Sequence, residues 1–325
     1  MHYDVFNGDA DGIISLLQLR LAEPKSAVLV TGLKRDIQLL NSLHCQSGDT
    51  LTVLDISMLS NMTALNKILS CGASVFYADH HQSGEIPHAT GLEAHIDLNA
   101  DVCTALIVDK LLGGQFHYWA IAAAYGDNLV SKADKLSSAA GLNMQQKMEL
   151  RELGSLINYN GYGDTLADLN FAPDELYQKL LAYSDPFSVL SDPKSPYPIL
   201  RDSYERDMSQ VLSIESLHRS HYIAVFELPD QAASRRISGA YGNWLANQSP
   251  NSAHVVLTEN QDGSYKVSLR APLNYRCGAG ELCAQFLTGG GRAASGGINA
   301  LDKYKLPDFI SKVESYYCQL ISVSK

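Results

Sequence analysis

Tyr3-Asp4-Val5-Phe6-Asn7-Gly8-Asp9-Ala10-Asp11-Gly12 carries an apolar run into a polar turn, and a helical pattern from about Ile13 to Leu21 follows directly. Two carboxylates, Asp9 and Asp11, therefore stand at the C-terminal end of a strand. That is the edge where open α/β sheets place ligands. Gly12 lets the chain turn sharply into the helix. Asp and Gly also build ordinary strand-to-helix turns and caps, so this stretch alone leaves both a structural and a functional reading open.

Working outward, apolar runs at Ala27 to Thr31, Thr50 to Ile56, Ala73 to Ala78 and Ala94 to Leu98 alternate with helical patterns near Asp36 to Leu43 and Asn61 to Leu69. The alternation predicts an α/β fold, a mostly parallel sheet with helices on both faces. Helical patterns then dominate: Thr104 to Leu112, His117 to Tyr125, Met144 to Asn158 and Asp174 to Ala182. Four X-Pro pairs between Ser184 and Pro198 mark a turn-rich connector. The tail resumes with runs at Tyr222 to Glu227, Ala253 to Glu259 and Ser264 to Arg270, a turn at Gln261-Asp262-Gly263, helices at Ala233 to Ala246 and Ala279 to Leu287, a glycine-rich loop and a closing helix. The expected organisation is an N-terminal domain over 1–190, a linker over 191–220, and a smaller α/β C-terminal domain over 221–325.

Two further runs end as the first does. Leu51-Thr52-Val53-Leu54-Asp55 closes on a carboxylate, and Val75-Phe76-Tyr77-Ala78-Asp79-His80-His81 closes on a carboxylate and two imidazoles. A lone Asp at such a place is most simply a helix cap. In a parallel sheet, however, three consecutive strand ends converge on one edge. Mixed carboxylate and imidazole donors suit a divalent transition metal. Four or five of them can hold two divalent cations, the arrangement that polarises a phosphoryl group and activates water.

Composition narrows the partners. The 325-residue chain has a formal net charge of -10 and 46% hydrophobic residues. The acidic balance disfavours long duplex nucleic acid, which binds through basic surface. Six cysteines without a CxxC pair argue against structural zinc. The start MHYDVFNGDADG lacks the basic and apolar stretches of a signal peptide, and no run has the length of a membrane span, so a cytoplasmic protein with no membrane partner is expected.

Asp9-x-Asp11-Gly12, Asp55, Asp79-His80-His81 and Asp127 in Tyr125-Gly126-Asp127-Asn128 resemble, in order and spacing, the four motifs of the DHH phosphoesterases. That family includes the exonuclease RecJ, nanoRNases, cyclic-dinucleotide phosphodiesterases and family II pyrophosphatases. The tail resembles the family's associated C-terminal domain: Gly289-Gly290-Gly291-Arg292-Ala293-Ala294-Ser295-Gly296-Gly297 is similar to its GGGHxxAxG signature, with Arg292 in place of His. The resemblance covers essentially the whole chain. It implies that Asp9 binds one metal and Asp11 the other, that Asp55 bridges them, and that His80 and Asp127 complete the second site. It further implies that Asp79 orients His80 and that His81 faces the substrate phosphate. Arg270, Gly289, Gly290, Gly291 and Arg292 would bind substrate. Two divalent ions are implied, manganese foremost, with magnesium or cobalt as alternatives. One departure stands out: many relatives carry His four residues before the first Asp of the pair, where this chain has Val5, and Asn7 stands where RecJ-like sequences carry Asp.

The expectation is therefore a metal-dependent phosphodiesterase cleaving very short oligonucleotides or linear dinucleotides such as pGpG or pApA, a nanoRNase-like role in nucleotide signalling. Alternatives are a phosphodiesterase or phosphatase acting on cyclic dinucleotides or 3'-phosphoadenosine phosphate, and a catalytically weakened nucleotide sensor. A homodimer is left open.

Overall fold

In the computed structural model, residues 1–260 and 262–323 are described; the expected turn at Gln261-Asp262-Gly263 thus lies partly outside the described residues. The chain divides into two compact units, Met1–Ser203 and Tyr204–Lys325.

The first unit is built on five parallel strands, β1 (His2–Phe6), β2 (Val28–Val30), β3 (Thr50–Leu54), β4 (Ser74–Asp79) and β5 (Leu92–Ile96), in the order β2-β1-β3-β4-β5. Its helices are α1 (Ala10–Ala22), α2 (Met58–Ser70), α3 (Thr104–Leu111), α4 (His117–Gly126), α5 (Val130–Ala139), α6 (Met144–Asn160), α7 (Pro173–Leu180) and α8 (Pro186–Ser191), while α9 (Tyr197–Val211) spans the division between the units. From β1 the chain steps to one side, to β2, and from β3 to the other, to β4. Right-handed crossovers therefore put α1 and α2 on opposite faces. Alternation along the strands serves both faces: Val5, Val53, Val75 and Tyr77 pack with Leu65 and Ile68 of α2 in one core. Asp4 and Thr52, on the alternate positions, meet Arg20 of α1 in a buried network joined by His2.

Two local expectations give way to tertiary contacts. The segment near Asp36 to Leu43 forms only a short 3-10 turn, Leu39–Ser42. There Asn61 of α2 accepts from the Leu40 amide and donates to the Ile37 carbonyl, taking backbone groups a longer helix would have paired. The proline-rich stretch holds helix as well as turn, because Pro186 occupies the first turn of α8 behind the Asp185 cap, where a missing N–H costs nothing.

The second unit carries a six-stranded mixed sheet in the order β10-β11-β9-β8-β7-β6, formed by β6 (His218–Arg219), β7 (Ile223–Leu228), β8 (Ala253–Glu259), β9 (Tyr265–Arg270), β10 (Gly289–Gly291) and β11 (Ser295–Leu301). Helices α10 (Ala232–Gln248), α11 (Ala279–Ala284) and α12 (Leu306–Val323) belong to it. Its core gathers Val255, Leu257, Val267, Leu269, Phe309 and Tyr317. The glycine-rich segment is a β10–β11 hairpin rather than a loop. No helix among the described residues is long and apolar enough to cross a membrane.

Candidate metal centre

Phe6, Leu54 and Ala78 lie in register across β1, β3 and β4, so Asn7, Asp55 and Asp79 leave the sheet along one edge. The gap between β1 and β3 is also where the connections diverge to opposite faces. Open α/β sheets bind ligands at such a switch point, outside the carboxyl ends of the strands.

The carboxylates there also serve the local structure. Asp9 is the N-cap of α1, its Oδ1 accepting from the Asp11 and Gly12 amides at 3.0 and 3.1 Å. Asp11 accepts from the Thr104 and Ala105 amides, both at 2.7 Å, and so caps the start of α3. The cap reading and the site reading of these residues hold together. Asp55 accepts from Thr104 Oγ1 at 3.2 Å and sits at φ 58°, a left-handed conformation that a non-glycine residue rarely adopts. Held strain of this kind concentrates at functional sites. Asp55 is 2% exposed, and burial followed by repulsion from Asp11, Asp9, Asp79 and Asp127 pushes its carboxyl well above the ordinary range. Asp127 caps the end of α4. The crossing of α4 over α6 is close enough that a Cβ on Gly154 would collide with the Ala122 carbonyl, and Gly126 lies against Ala10 at the head of α1. That packing brings Asp127 to the same cluster.

The imidazoles complete it. His80 Nδ1 donates to the Val102 carbonyl at 2.7 Å, which directs Nε2 toward Asp55 Oδ1 at 3.5 Å and Asp11 Oδ2 at 3.6 Å. His81 Nδ1 meets Asp79 Oδ1 at 2.7 Å and Asp55 Oδ1 at 3.8 Å. The expectation that Asp79 orients His80 is corrected in this respect: Asp79 grips His81, and Val102 supplies the hydrogen bond that orients His80. Among the described residues, Asp55, His80 and His81 offer ligand atoms within 4.8 Å of one another, a set able to hold a metal ion. Asp79 Oδ2 is buried with no hydrogen-bond partner. A repelled carboxylate, an orphaned buried oxygen and an imidazole held by its other nitrogen all fit a divalent cation.

Lys34, absent from the sequence reasoning, lies on the same edge. Its Nζ bonds Asp9 Oδ2 at 2.5 Å and Asn158 Oδ1 at 2.8 Å, and stands 5.3 Å from the centre of the Tyr162 ring. Burial disfavours charge on Lys34, but Asp9, Tyr162 and Asp127 together outweigh it and hold the pKa above the ordinary lysine value. Asp9 moves the opposite way: burial and Asp127 raise its pKa, but Lys34 and the cap hydrogen bonds bring it below the ordinary carboxylate value. Asn7 does not reach out as a ligand; its Oδ1 accepts from the Asp9 amide and its Nδ2 donates to the Lys34 carbonyl. Val5 is in the core, 0% exposed. The available signal for Lys34 was its place just past β2, the strand beside β1.

In the second unit, Arg270 ends β9 with Nε on Asn243 Oδ1 at 2.7 Å and Nη1 on Ser268 Oγ at 3.0 Å. It pairs in register with Ser295, so it lies at the turn end of the glycine hairpin, near Arg292. Gly289 and Gly291 are packing positions, where a Cβ would collide with the Cys283 and Ser295 carbonyls, whereas Gly290 has open space. The Ala279 and Gly280 amides already donate to the Ala293 and Arg292 carbonyls.

No family model matches the chain, and no curated protein matches it in sequence. Solved structures do. A pGpG-specific phosphodiesterase from Vibrio cholerae, PggH, matches with a TM-score of 0.55 at 15% identity, over 98% of this chain and 99% of that one. An exopolyphosphatase-related protein from Bacteroides fragilis matches at 0.52 and 14%, over 99% and 93%. The exonuclease RecJ bound to manganese matches at 0.53 and 15%, over 98% and 90%. The chain has the α/β fold of the DHH phosphoesterases, as its motif order implied.

Proposed function

We propose that this chain is a divalent-cation-dependent phosphodiesterase that hydrolyses linear dinucleotides or very short oligonucleotides to mononucleotides. One observation carries the reading: Asp55, His80 and His81 offer ligand atoms within 4.8 Å of one another, in the field of Asp9, Asp11, Asp79 and Asp127, at the switch point of a parallel sheet. Likeness over nearly the whole chain to a pGpG-specific phosphodiesterase supports a small phosphodiester substrate. A net charge of -10 weighs against a long strand.

A bound cation would supply charge neutralisation at the phosphoryl group and make water a better nucleophile at neutral pH. Asp11, Asp55 and His80 would hold it, with Asp127 closing the cluster. Val102 keeps the proton on His80 Nδ1, so Nε2 presents its lone pair. Asp79 clamps the His81 ring, whose side chain is 27% exposed, so that it stabilises phosphoryl charge or passes a proton to the leaving oxygen. Arg270 and Arg292 would bind the nucleotide or its terminal phosphate through charge-assisted hydrogen bonds, with Gly290 leaving room at the hairpin.

The test is a panel of pGpG, pApA, a four-residue RNA, a cyclic dinucleotide, 3'-phosphoadenosine phosphate and pyrophosphate, each assayed with manganese or magnesium and resolved by ion-exchange chromatography. Mononucleotides should form fastest from the linear dinucleotides. Manganese should exceed magnesium, because the imidazole of His80 is a nitrogen ligand that magnesium accepts poorly. Full activity after exhaustive chelation, or no product from any substrate, would refute the reading.

A further inference from the structure

The two-ion arrangement implied by the motifs asks for a first ion at Asp9, and the residues around Asp9 do not fit one. Val5 is sealed in the core where the family's histidine would stand. Both ends of the Asn7 amide are spent on backbone groups. Asp9 Oδ1 caps α1, and Oδ2 is taken by the Lys34 ammonium. Nor is that lysine a surface residue that happens to lean inward. Its amide donates to the Gly161 carbonyl at 3.0 Å, its carbonyl accepts from Asn7, its Nζ from the other side meets Asn158, and its side chain is 27% exposed beside Tyr162. Asn158 is itself 5% exposed, on α6. The ammonium is thus seated by α1, α6 and the loop after β2, beside Asp9 and within the field of Asp127.

We propose that Lys34 supplies, as a fixed monovalent cation, the positive charge that a second metal ion would otherwise supply beside Asp9. The chain then works with one divalent ion per molecule, at Asp55 and His80. An ammonium has three N–H donors. Among the described residues Asp9 and Asn158 take two of Lys34's, and the third is available to a phosphoryl oxygen. The lysine needs no ligand set of its own, which accounts for Val5 and Asn7 at positions where a two-ion site requires donors. Asn7 acquires a role in this arrangement: it ties the Lys34 carbonyl to the Asp9 turn and so fixes the distance between ammonium and carboxylate.

The inference rests on the phosphodiesterase reading, and metal stoichiometry separates the failure of one from the failure of the other. Metal-free full-length protein is titrated with Mn2+ while the unbound ion is counted by electron paramagnetic resonance, with circular dichroism as the check on folding. Wild type should bind one Mn2+ per chain, and Lys34→Arg likewise. Lys34→Ala, which releases Asp9 Oδ2 and Asn158 Oδ1, should gain a second, weaker Mn2+; Lys34→Met, which keeps an unbranched side chain without the charge, replaces it if the alanine variant does not fold. Two ions on wild type would overturn the proposal and leave the divalent phosphodiesterase standing. A folded Lys34→Ala or Lys34→Met chain that still takes one ion would also overturn it. No bound ion on wild type, with no hydrolysis, would overturn both.

Discussion

Asp55→Asn and Asp55→Ala should part in stability while failing alike in catalysis. The residue sits at φ 58° with Oδ1 accepting from Thr104 Oγ1, in a place where Asp55 and Thr104 are 2% and 0% exposed. Asparagine keeps an acceptor oxygen and tolerates the left-handed backbone, and it removes a charge that four neighbouring carboxylates repel. Alanine also removes the charge, but it loses the acceptor oxygen and the local polar group that eases the left-handed backbone. It costs about 1 kcal/mol for a Cβ in the left-handed region without a local polar group, and about 1 kcal/mol for a buried hydroxyl stripped of its partner. Asp55→Ala should therefore be about 2 kcal/mol less stable than Asp55→Asn when both are metal-free. For a unit of this size that corresponds to roughly 4–8 °C in melting temperature. Urea and thermal unfolding in chelator measure the difference. Hydrolysis of pGpG with manganese measures the other half, where both variants should fall by several orders of magnitude because the metal centre is lost. Equal stability of the two variants would refute the backbone and hydrogen-bond reasoning. Retention of a tenth of the wild-type rate by Asp55→Asn would remove Asp55 from the site.

Arg292→Ala should raise the Michaelis constant for a dinucleotide roughly ten- to a hundredfold, the cost of a charge-assisted hydrogen bond worth about 1.5–3 kcal/mol. A small chromogenic phosphodiester should be affected far less; equal losses on both would make Arg292 a structural part of the hairpin. In the second unit, burial and then the nearby Arg219 push the pKa of His254 down to about 4 from an ordinary value of 6.5. The unfolded chain thus binds the proton first, so stability is full above about pH 6.5 and falls as pH drops toward 4, by on the order of 2–3 kcal/mol. Urea unfolding at pH 7.5 and 4.5 should show this loss in wild type and a smaller one in His254→Leu; identical pH dependence would dismiss His254 as its source.

Periodicity and turn chemistry are local, and what they specify was legible in the chain itself. Alternating apolar runs at Tyr3 to Phe6, Thr50 to Ile56 and Ala73 to Ala78 imply parallel strands, and the carboxylates and imidazoles that end them imply one shared edge. The structure bears out both, since strand order and register bring Phe6, Leu54 and Ala78 level. The glycine hairpin was hidden because Gly289 to Gly291 has no side-chain pattern to betray a strand; its pairing with β11 and its packing under α11 decide it. The shortened helix near Asp36 was decided by Asn61, a residue on another element. The same holds at the metal centre. Which oxygen holds His80 and the arrival of Lys34 on Asp9 depend on groups up to 124 residues apart in sequence, whereas His81 is held by Asp79, two residues away. Sequence alone determined that a set of donors would gather at one sheet edge, because strand ends carry their residue types with them. Only the tertiary structure decided which cation stands beside Asp9, because a lysine after β2 bears no motif until packing against Asn158 and Tyr162 fixes where its charge can go.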